Sequence, residues 1–537
     1  MGKMENFTIL LLKIFPAFFV PKLQVEQMIL LIFVRGVLVF LQKKNYYKNI
    51  YITVQEKNQF LLRCLKNNSI LKFKHFEKEY YIPFVAYADF ECFTKPISSY
   101  SLNKEQPYSF SYQKHEPSGF CFYIKGVSGK GIKPILYTKK EEHEDVAKIF
   151  VEKLAEAVKI IYNDFYRRPK KLYITEEQEK SFKEAKNCYI CNKEIEKGKN
   201  KVRDHCHFTG EYRGAAHNSC NLKCRKPLVL PVIFHNLQSY DAHLFIKQLA
   251  SIPGEFTCIP STEEKYISFS KYIKVGEYRT RKRDKEGNYI VRNINFEIRF
   301  IDSLKFLNSS LEQLVKNLKK KKEDEDEDEY FYNIKQDFKH NTELVTKKGV
   351  YPYDYVSDLS ILLETQLPPK EAFYSKLNDE NISDEQYDHA KKVWDTFNCK
   401  TIRDYHDLYL KTDVLLLADV FEKFRKTCME HYQLDPAHFF TSPGLAWEAC
   451  LRETGQELQL LTDYDMLLFF ERGIRGGMTH ISKRYAEANN HYMTNFDSSK
   501  PETYIQYLDA NNLYGWGMSQ PLPTHGFKWV KNITKEK

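Results

Sequence analysis

The chain has 537 residues, of which 42% are apolar and 15% aromatic. That composition excludes a collagen-like or Pro/Gly-rich disordered chain, and at roughly one domain per 150 residues the length predicts three or four domains. The formal net charge is +10, from 81 Lys and Arg against 71 Asp and Glu, a modest excess that permits an anionic partner without demonstrating one.

The first 75 residues are not diagnostic of a function. They contain two apolar runs, 7–20 and 28–41, each shorter than the roughly 20 residues that span a bilayer. No small-residue cleavage site follows a single apolar core, as a secretory signal requires. We therefore expect no membrane partner and set residues 1–75 apart from the folded domains.

The predicted elements alternate between strands and helices. YYIPFVAYADFECF, from residue 80, predicts a buried strand with Asp89 and Glu91 near its end. Apolar residues at helical spacing predict a helix over 141–162, and a run of charges at 319–329 predicts a solvated loop. Further strands are predicted at 230–236, 298–307 and 504–508, and further helices at 241–250 and 404–425.

Five of the twelve cysteines fall between 188 and 224, a distribution typical of a metal site rather than a disulfide framework. A Cys-x2-Cys pair and a His-x2-Cys pair supply the four soft or borderline ligands that a tetrahedral zinc site requires. Chance pairing of reduced cysteines is the alternative, and either spare cysteine, Cys206 or Cys224, could replace the histidine. The predicted Zn²⁺ ligands are Cys188, Cys191, His217 and Cys220.

The cysteine-rich segment at 188–226 also contains a candidate site for the cleavage of phosphodiester bonds. Residues 188–226 include nine Lys or Arg and four Asp or Glu, and the positive excess favours phosphate binding. CYIC…VRDHCHFTGEYRGAAHNSCN resembles the recombination endonuclease VII type of His-Asn-His nuclease module. The resemblance implies Asp204 and Asn221 as Mg²⁺ ligands and His205 as the general base, assisted by His207. That family usually has a cysteine in place of the ligand histidine, so a zinc-stabilised DNA-binding insert without cutting activity is the alternative.

Four acids stand in settings suited to metal binding. Asp89 and Glu91 share one face of a strand because side chains alternate, and Tyr409 and Asp413 share a helix face at a spacing of four. Two-metal phosphodiester hydrolysis needs three or four carboxylates around ions about 3.5–4 Å apart, and Asp241 completes that number. Each acid alone has an ordinary explanation: Asp413 as a helix-surface acid and Asp241 as a helix N-cap.

In this order, YADFE, HNLQSYD and YLKTD resemble the three exonuclease motifs of family B DNA polymerases. The resemblance is to the protein-primed branch found in linear plasmids, adenovirus-like viruses and Polinton/Maverick transposons. It implies a ribonuclease-H-like domain in which Tyr409 orients a water molecule and Asn236 contacts the 3′ end of a single strand. The implied Mg²⁺ ligands are Asp89, Glu91, Asp241 and Asp413.

Two motifs extend the resemblance towards the C-terminus. GIRGGMTHI resembles the linker before the polymerase domain and implies DNA contact by Arg475, Gly476 and Gly477, although a plain glycine turn is the alternative. YLDANNLYGWGMSQPLP resembles polymerase motif A and implies Mg²⁺ at Asp509 and nucleotide stacking on Tyr514, although a turn acid is the alternative for Asp509. No second palm carboxylate follows, so we expect a chain that ends inside the palm and cannot extend a primer alone.

The sequence thus predicts a mixed α/β chain with an exonuclease domain at 76–430, a zinc module inserted at 185–226, and a linker and incomplete palm at 431–537. The predicted function is DNA-directed DNA synthesis with 3′–5′ proofreading in DNA replication, with exonuclease action and DNA binding expected of this chain. The predicted partners are DNA 3′ ends, primer-template DNA, dNTPs for a complete palm and a terminal protein primer. We expect an intracellular location with nuclear, viral or transposon DNA. The alternatives are an endonuclease or a non-catalytic transposon remnant.

Overall fold

The computed structural model shows two compact units, His75–Leu445 and a second one formed by residues 69–74 with 446–530. No helix in the described ranges is long and apolar enough to cross a membrane. The predictions for the N-terminal apolar runs and for most of the charged run lie outside the described residues. The described residues are 69–97, 113–195, 200–224, 227–262, 265–284, 286–319, 331–376, 379–474, 476 and 480–530.

The described part of the chain alternates strands and helices. The strands are β1 (Ile70–Leu71), β2 (Phe84–Pro96), β3 (Gln113–Gly126), β4 (Ile132–Thr138), β5 (Lys201–His205), β6 (Tyr212–His217), β7 (Val229–Phe234), β8 (Phe256–Pro260), β9 (Tyr266–Arg283), β10 (Tyr289–Asp302) and β11 (Leu458–Gln459). The helices are α1 (Val146–Ile161), α2 (Glu176–Glu184), α3 (Asn218–Lys223), α4 (Asp241–Phe245), α5 (Leu311–Lys319), α6 (Tyr332–Asp337), α7 (Thr342–Val345), α8 (Asp384–Thr396), α9 (Ile402–Tyr432), α10 (Ser442–Thr454), α11 (Tyr464–Gly473) and α12 (Leu513–Ser519).

A seven-stranded mixed sheet organises the larger unit. Its strand order is β4-β3-β2-β7-β10-β9-β8. β7 runs parallel to both β2 and β10, and the remaining neighbours are antiparallel. The predicted mixed α/β class is confirmed, while the finer ribonuclease-H-like description stays a prediction.

Strand β2 uses its two faces differently. Even-numbered Ala86, Ala88 and Phe90 belong to the core that also contains the apolar face of α1. Odd-numbered Tyr87 packs edge-on against Phe421 of α9, with ring centroids 6.2 Å apart. Because side chains alternate along a strand, Asp89 and Glu91 project towards the α9 side of the sheet.

The helices around the sheet follow local sequence signals. α1 begins after Asp145, whose side chain accepts a hydrogen bond from the backbone N–H of Lys148, and buries the apolar face predicted for 141–162. α9 begins after Thr401, which forms a reciprocal capping box with Asp404. The helices predicted at 141–162 and 404–425 are therefore present. The helix predicted at 241–250 is α-helical only over Asp241–Phe245 and continues as a 3-10 helix, Ile246–Ser251.

The cysteine-rich segment forms a small substructure, which lies between α1 and β7 in the chain. β5 and β6 pair antiparallel in their own sheet, and α2 and α3 flank them with a separate apolar core. Tyr80, just before β2, contacts this structure: its hydroxyl lies 2.8 Å from that of Tyr189, and the guanidinium of Arg213 lies 4.6 Å from its ring centroid. We call residues 166–229, which contain the segment predicted at 185–226, the zinc module.

The predicted strand at 504–508 is wrong. These residues are exposed and have no regular structure. A strand needs a neighbouring strand to pair its backbone groups, and among the described residues the nearest pairing is the single bridge between Asn489 and Thr503. The predicted strand at 298–307 is present but ends at Asp302, where a 3-10 turn begins.

Candidate functional site

The four predicted acids come from three elements that meet on one side of the sheet. Asp89 and Glu91 lie on β2, Asp241 is the first residue of α4, and Asp413 lies in the middle of α9. Glu91 is affected electrostatically by each of the other three acids, which places all four in one neighbourhood. The structure thus brings these residues together, while their catalytic roles stay predictions. We call these four residues the acid cluster.

Burial and mutual repulsion raise the pKa values of Asp89, Glu91 and Asp241. Burial raises the pKa of Asp89 to about 7, and the charge of Asp413 adds to the shift, although Asp89 keeps partial access to water. The pKa values of Glu91 and Asp241 lie well above the ordinary range, first because of burial and then because of the charge of Asp89. Buried carboxylates beside like charges need a compensating cation to stay ionised.

Two oxygens of the acid cluster accept no hydrogen bond from any residue that the structure describes. They are Oδ1 of Asp241 and Oδ1 of Asp413, both buried, on side chains of residues that are 2% exposed. A buried carboxylate oxygen without a partner costs free energy. Hard cations such as Mg²⁺ take carboxylate oxygens as ligands. The donor chemistry of the acid cluster therefore fits magnesium.

Lys348 brings a positive charge to the acid cluster, and the sequence analysis missed it. Its Nζ lies 2.7 Å from Oδ2 of Asp413. Burial opposes the ammonium form, but the charge of Asp413, its hydrogen bond to the ammonium and the charge of Asp89 raise the pKa of Lys348 above its ordinary value. Lys348 follows another lysine in a stretch without helical or strand periodicity, so no sequence signal distinguishes it.

Tyr409 lies one helical turn before Asp413 on α9. Its hydroxyl lies 2.8 Å from that of Tyr353, and its ring stacks on Tyr351 with centroids 5.1 Å apart. Burial, followed by the charges of Asp413 and Glu91, holds the pKa of Tyr409 well above its ordinary value. The phenol is therefore protonated and held in one orientation beside the acids.

A fifth buried acid holds the loop that contains Asn236. Asp302 is 1% exposed and accepts hydrogen bonds from the backbone N–H of Asn236 at 2.9 Å and of Gln238 at 3.0 Å. Its charge also contributes to the raised pKa of Asp241, after burial and Asp89. Asp302 ends an apolar strand, so the signal that identified Asp89, an acid at the end of a buried strand, could have found it.

The donors of the zinc module form a tighter cluster. Within the described ranges, this is the one group of three or more His, Cys, Asp or Glu whose donor atoms all lie within 4.8 Å of one another. Nδ1 of the histidine is 3.5 Å and 3.8 Å from two of the sulfurs, close to the roughly 3.6 Å edge between nitrogen and sulfur in a tetrahedron with a Zn–N bond of about 2.1 Å and a Zn–S bond of about 2.3 Å. The donors fit a structural Zn²⁺. They belong to Cys188, Cys191, His217 and Cys220.

Hydrogen bonds favour the metal-binding forms of two of these ligands, His217 and Cys188. Nε2 of His217 lies 3.0 Å from the carbonyl oxygen of Glu194, which can only accept, so Nε2 is protonated and Nδ1 presents its lone pair to the sulfurs. Burial opposes the thiolate of Cys188, but backbone N–H groups, including that of His217, lower its pKa to about 7. Cys206 packs against the main core and Cys224 is buried in the module's core, so the geometry favours His217 as the fourth ligand.

The predicted cutting residues of the zinc module are arranged differently from the acid cluster. Asp204 is 2% exposed, and it accepts hydrogen bonds from the hydroxyl of Tyr189 and, at 2.9 Å, from Nη2 of Arg213. The rings of His205 and His207 lie 4.9 Å apart. Magnesium at Asp204 would have to compete with a buried ion pair.

Asn221, the second predicted magnesium ligand of the zinc module, lies half-buried on α3. The structure shows no hydrogen bond between its side chain and Asp204, both of which are described. The roles of Asp204, Asn221, His205 and His207 stay predictions.

The predicted polymerase residues belong to the second unit. Asp509 lies in the irregular segment that replaces the predicted strand and is exposed. Tyr514 is 39% exposed on α12, and Gly476 is exposed in a loop. Arg475 and Gly477 lie outside the described residues. The assignments of all five to DNA, nucleotide or magnesium stay predictions.

A buried acid cluster on a mixed sheet, together with a small basic zinc module, is an arrangement suited to enzymes that act on nucleic acids. The family model described as DNA polymerase type B, organellar and viral, matches residues 221–537, more than half of the chain. The chain therefore belongs to this family of DNA-acting enzymes, which implies binding of template and primer DNA.

A second family model, recombination endonuclease VII, matches residues 166–229. The family and the inserted module inferred from the motifs are thus both confirmed. The comparison with curated proteins found no match, and neither did the comparison with solved structures.

Proposed function

We propose that the chain removes nucleotides from the 3′ ends of single-stranded DNA with Mg²⁺, as the proofreading activity of a protein-primed family B DNA polymerase. The observation that supports this activity most strongly is the meeting of four acids, three of which have raised pKa values and two of which have a buried oxygen that accepts no hydrogen bond from a described residue. Titratable groups perturbed in this way concentrate at functional sites. The family match supports DNA as the substrate.

The residues of the acid cluster have separate tasks in this proposal. Mg²⁺ held by these carboxylates would supply a hydroxide nucleophile near neutral pH and would stabilise the leaving 3′ oxygen. Tyr409, held by the hydroxyl of Tyr353, orients the attacking water. Asn236, on the loop held by Asp302, contacts the terminal nucleotide. The carboxylates that would hold magnesium are those of Asp89, Glu91, Asp241 and Asp413.

Lys348 complements this set as a fixed positive charge. Its ion pair with Asp413 compensates one buried carboxylate. A cation next to four acids also lowers the repulsion that a phosphate of the substrate strand meets on entering the site. Lys348 therefore favours both the ionised acids and the anionic substrate.

The finer parts of the proposal concern synthesis. Asp509 would hold Mg²⁺ and Tyr514 would stack on the incoming nucleotide, with dNTPs and a terminal protein primer as partners of a complete palm. Arg475, Gly476 and Gly477 would contact DNA between the two activities. These assignments are supported by the motifs and by the family match, which spans all five residues.

The proposal is tested with a 5′-labelled single-stranded oligonucleotide and Mg²⁺. Wild-type protein should shorten the label stepwise from the 3′ end. The double variant Asp89→Ala/Glu91→Ala should lose about a thousandfold or more in rate, the loss typical of removing groups that stabilise developing charge, while binding to the same oligonucleotide in EDTA persists.

A matched control separates this effect from loss of fold. Asp419 is a buried acid on the same helix as Asp413, but it is satisfied by Asn333 and the backbone of Ile334. Asp419→Asn should keep the exonuclease rate. Undiminished digestion by the double variant would refute the proposal.

A second candidate activity resides in the zinc module. Its family match and its basic composition favour cutting or binding of DNA, whereas the ion pair of Asp204 favours binding alone. A covalently closed circular duplex distinguishes the candidates because it has no 3′ end. Nicking of the circle that His205→Ala abolishes would establish the endonuclease.

A further inference from the structure

A cavity of about 820 Å³ lies on the α9 side of the sheet, lined by β3, the β3–β4 turn, α6 and the second half of α9. We call it the α9 cavity. None of the four residues of the acid cluster lines it, and Lys423 of its lining lies ten residues after Asp413, about 15 Å along the helix. Its volume falls in the range of roughly 300–1,000 Å³ that small-molecule sites occupy. The α9 cavity is therefore a candidate ligand site outside the acid cluster.

Aromatic rings give the α9 cavity flat apolar surfaces. The rings in its lining are those of Tyr81, Tyr123, Phe331 and Tyr332. Tyr81 and Tyr332 are 40% and 44% exposed, and Nζ of Lys125 lies 4.9 Å from the ring centroid of Tyr332. A partly uncovered ring beside a cation can stack on the face of a nucleobase.

The charged side chains of the lining are paired unequally. Five lysines and four acids line the α9 cavity, and each acid has a partner in the protein. The pairs are Asp337 with Lys411, Asp419 with Asn333, Glu422 with Arg425, and Glu430 with Lys426. Lys133 and Lys339 are exposed, and they form no ion pair or side-chain hydrogen bond with any described residue. An anion therefore finds ammonium donors there that no described protein group occupies.

The β3–β4 turn adds main chain without side chains. Gly126, Gly129 and Gly131 all line the α9 cavity. A Cβ at Gly126 would lie 1.7 Å from the carbonyl oxygen of Lys130, and Gly129 has a positive φ of 72°. Glycine allows the main chain to approach a ligand closely, so a phosphate can lie against this turn.

We propose that the α9 cavity binds one nucleoside triphosphate. The base would stack on the ring of Tyr332, and the phosphates would meet Lys133, Lys339 and the glycine turn. Solubility alone would explain exposed lysines, but not uncovered aromatic rings beside that turn. A ligand with both a planar base and several negative charges uses all three features of the lining. This site goes beyond the proposed exonuclease activity and does not depend on it.

The test measures binding of ATP to the full chain by isothermal titration calorimetry. EDTA is present, so that magnesium-dependent sites contribute no affinity. Wild-type protein should bind one ATP per chain. Lys133→Ala/Lys339→Ala should bind ATP at least about tenfold more weakly, the loss expected for even one charge-assisted hydrogen bond. Failure of wild-type protein to bind ATP would overturn the proposal.

The stacking contact has a test of its own. Tyr332→Ala should weaken ATP binding at least about fivefold, the low end of what one stacked base contributes. Tyr332→Phe keeps the ring and should bind ATP as wild type does. Wild-type affinity in Tyr332→Ala would contradict the proposed position of the base.

Matched controls replace residues of the same types outside the cavity. Lys140→Ala/Lys392→Ala removes two exposed lysines, and Tyr173→Ala removes a ring that is 70% exposed. Both should bind ATP as wild type does. Equal weakening in the control and cavity variants would overturn the proposal, because it would indicate surface charge or general apolar contact rather than one site.

Three competitors define the chemistry of the ligand. Adenosine lacks the phosphates and tripolyphosphate lacks the base, so each should displace ATP at least about tenfold less effectively than unlabelled ATP does. Tripolyphosphate as effective as ATP would overturn the proposal by reducing the site to a general anion site. A short single-stranded oligonucleotide that binds more tightly than ATP would overturn it by identifying a site for a DNA strand.

Two further measurements keep the outcome interpretable. The melting temperature of Lys133→Ala/Lys339→Ala should match that of wild type, because both side chains are exposed. Digestion of a single-stranded oligonucleotide by this variant should also be unchanged. If wild-type protein binds ATP in the α9 cavity but fails to digest DNA, the exonuclease proposal fails and the cavity proposal stands. Digestion without ATP binding would have the opposite meaning.

Discussion

Asp241 and Asp204 are both 2% exposed, yet their surroundings are opposite. Asp204, in the zinc module, is neutralised by Arg213 and Tyr189. Asp241, in the acid cluster, has an oxygen without a partner and lies near other negative charges. A buried acid whose partners are complete stabilises the fold, whereas one without partners indicates a binding or catalytic site.

Metal removal should separate the two regions most strongly. Structural zinc contributes about 10–16 kcal/mol in small zinc domains, so stripping it should unfold residues 166–229 and expose them to limited proteolysis. Removal of Mg²⁺ alone should stop digestion and leave the protease pattern unchanged.

The zinc ligands can be tested in the same experiment. Cys220→Ser should lose the bound zinc, measured as metal per chain by mass spectrometry. Cys206→Ser should retain one zinc per chain, because Cys206 packs against the core outside the cluster. Zinc loss in Cys206→Ser would show that the fourth ligand was assigned wrongly.

Asp241→Asn should lower the exonuclease rate about a thousandfold, the loss typical of removing an electrostatic group at a reaction centre. Its stability in EDTA should stay equal or rise, because the substitution removes a buried carboxyl group that must either stay charged in the interior or take up a proton on folding. Single-turnover digestion and thermal unfolding measure the two effects. A loss of stability together with unchanged digestion would reverse the interpretation of the acid cluster.

Asp204→Asn should have the opposite effect to Asp241→Asn: it should lower the stability of the fold and leave the exonuclease rate unchanged. It leaves Arg213 without its counter-ion, and breaking a buried pair costs about 3–5 kcal/mol, measurable by urea unfolding. The double variant Asp204→Leu/Arg213→Met should cost less than either single change, because neither partner is left as an isolated charge. Unchanged stability with lost nicking of circular DNA would instead identify Asp204 as catalytic.

The smallest expected effect is on the pH dependence of stability. The pKa of Asp89 is about 7 in the folded chain against 3.8 for the unperturbed group. Between these values the folded form retains a proton that the unfolded chain has released, so stability falls as pH rises. Partial exposure screens the effect to the order of 1 kcal/mol.

In EDTA, wild-type protein should therefore lose stability relative to Asp89→Asn as the pH rises from about 4 to about 8. Urea unfolding at a series of pH values measures the difference. Parallel pH profiles for the two proteins would show that Asp89 titrates normally.

Sequence periodicity and motif order were sufficient to predict that four acids lie in one site, because each lies in an element with a strong sequence pattern. These acids are Asp89, Glu91, Asp241 and Asp413. Lys348 could not be predicted, since its position depends on how a patternless segment folds against α9. The strand expected at 504–508 failed for a related reason: apolar composition indicates a strand only where a neighbouring strand is available to pair with it.

The contacts of Tyr80 connect the zinc module to the start of β2. Tyr80 leads into β2, and the nearby Ile82 donates its backbone N–H to Asp435 at 2.7 Å, so the start of the strand with Asp89 and Glu91 is held on one side by the inserted module. A deletion that joined α1 directly to β7 would expose the ring of Tyr80. It would also remove part of the contacts that hold the start of β2. Removal of the zinc module should therefore also destabilise the strand that contains Asp89 and Glu91.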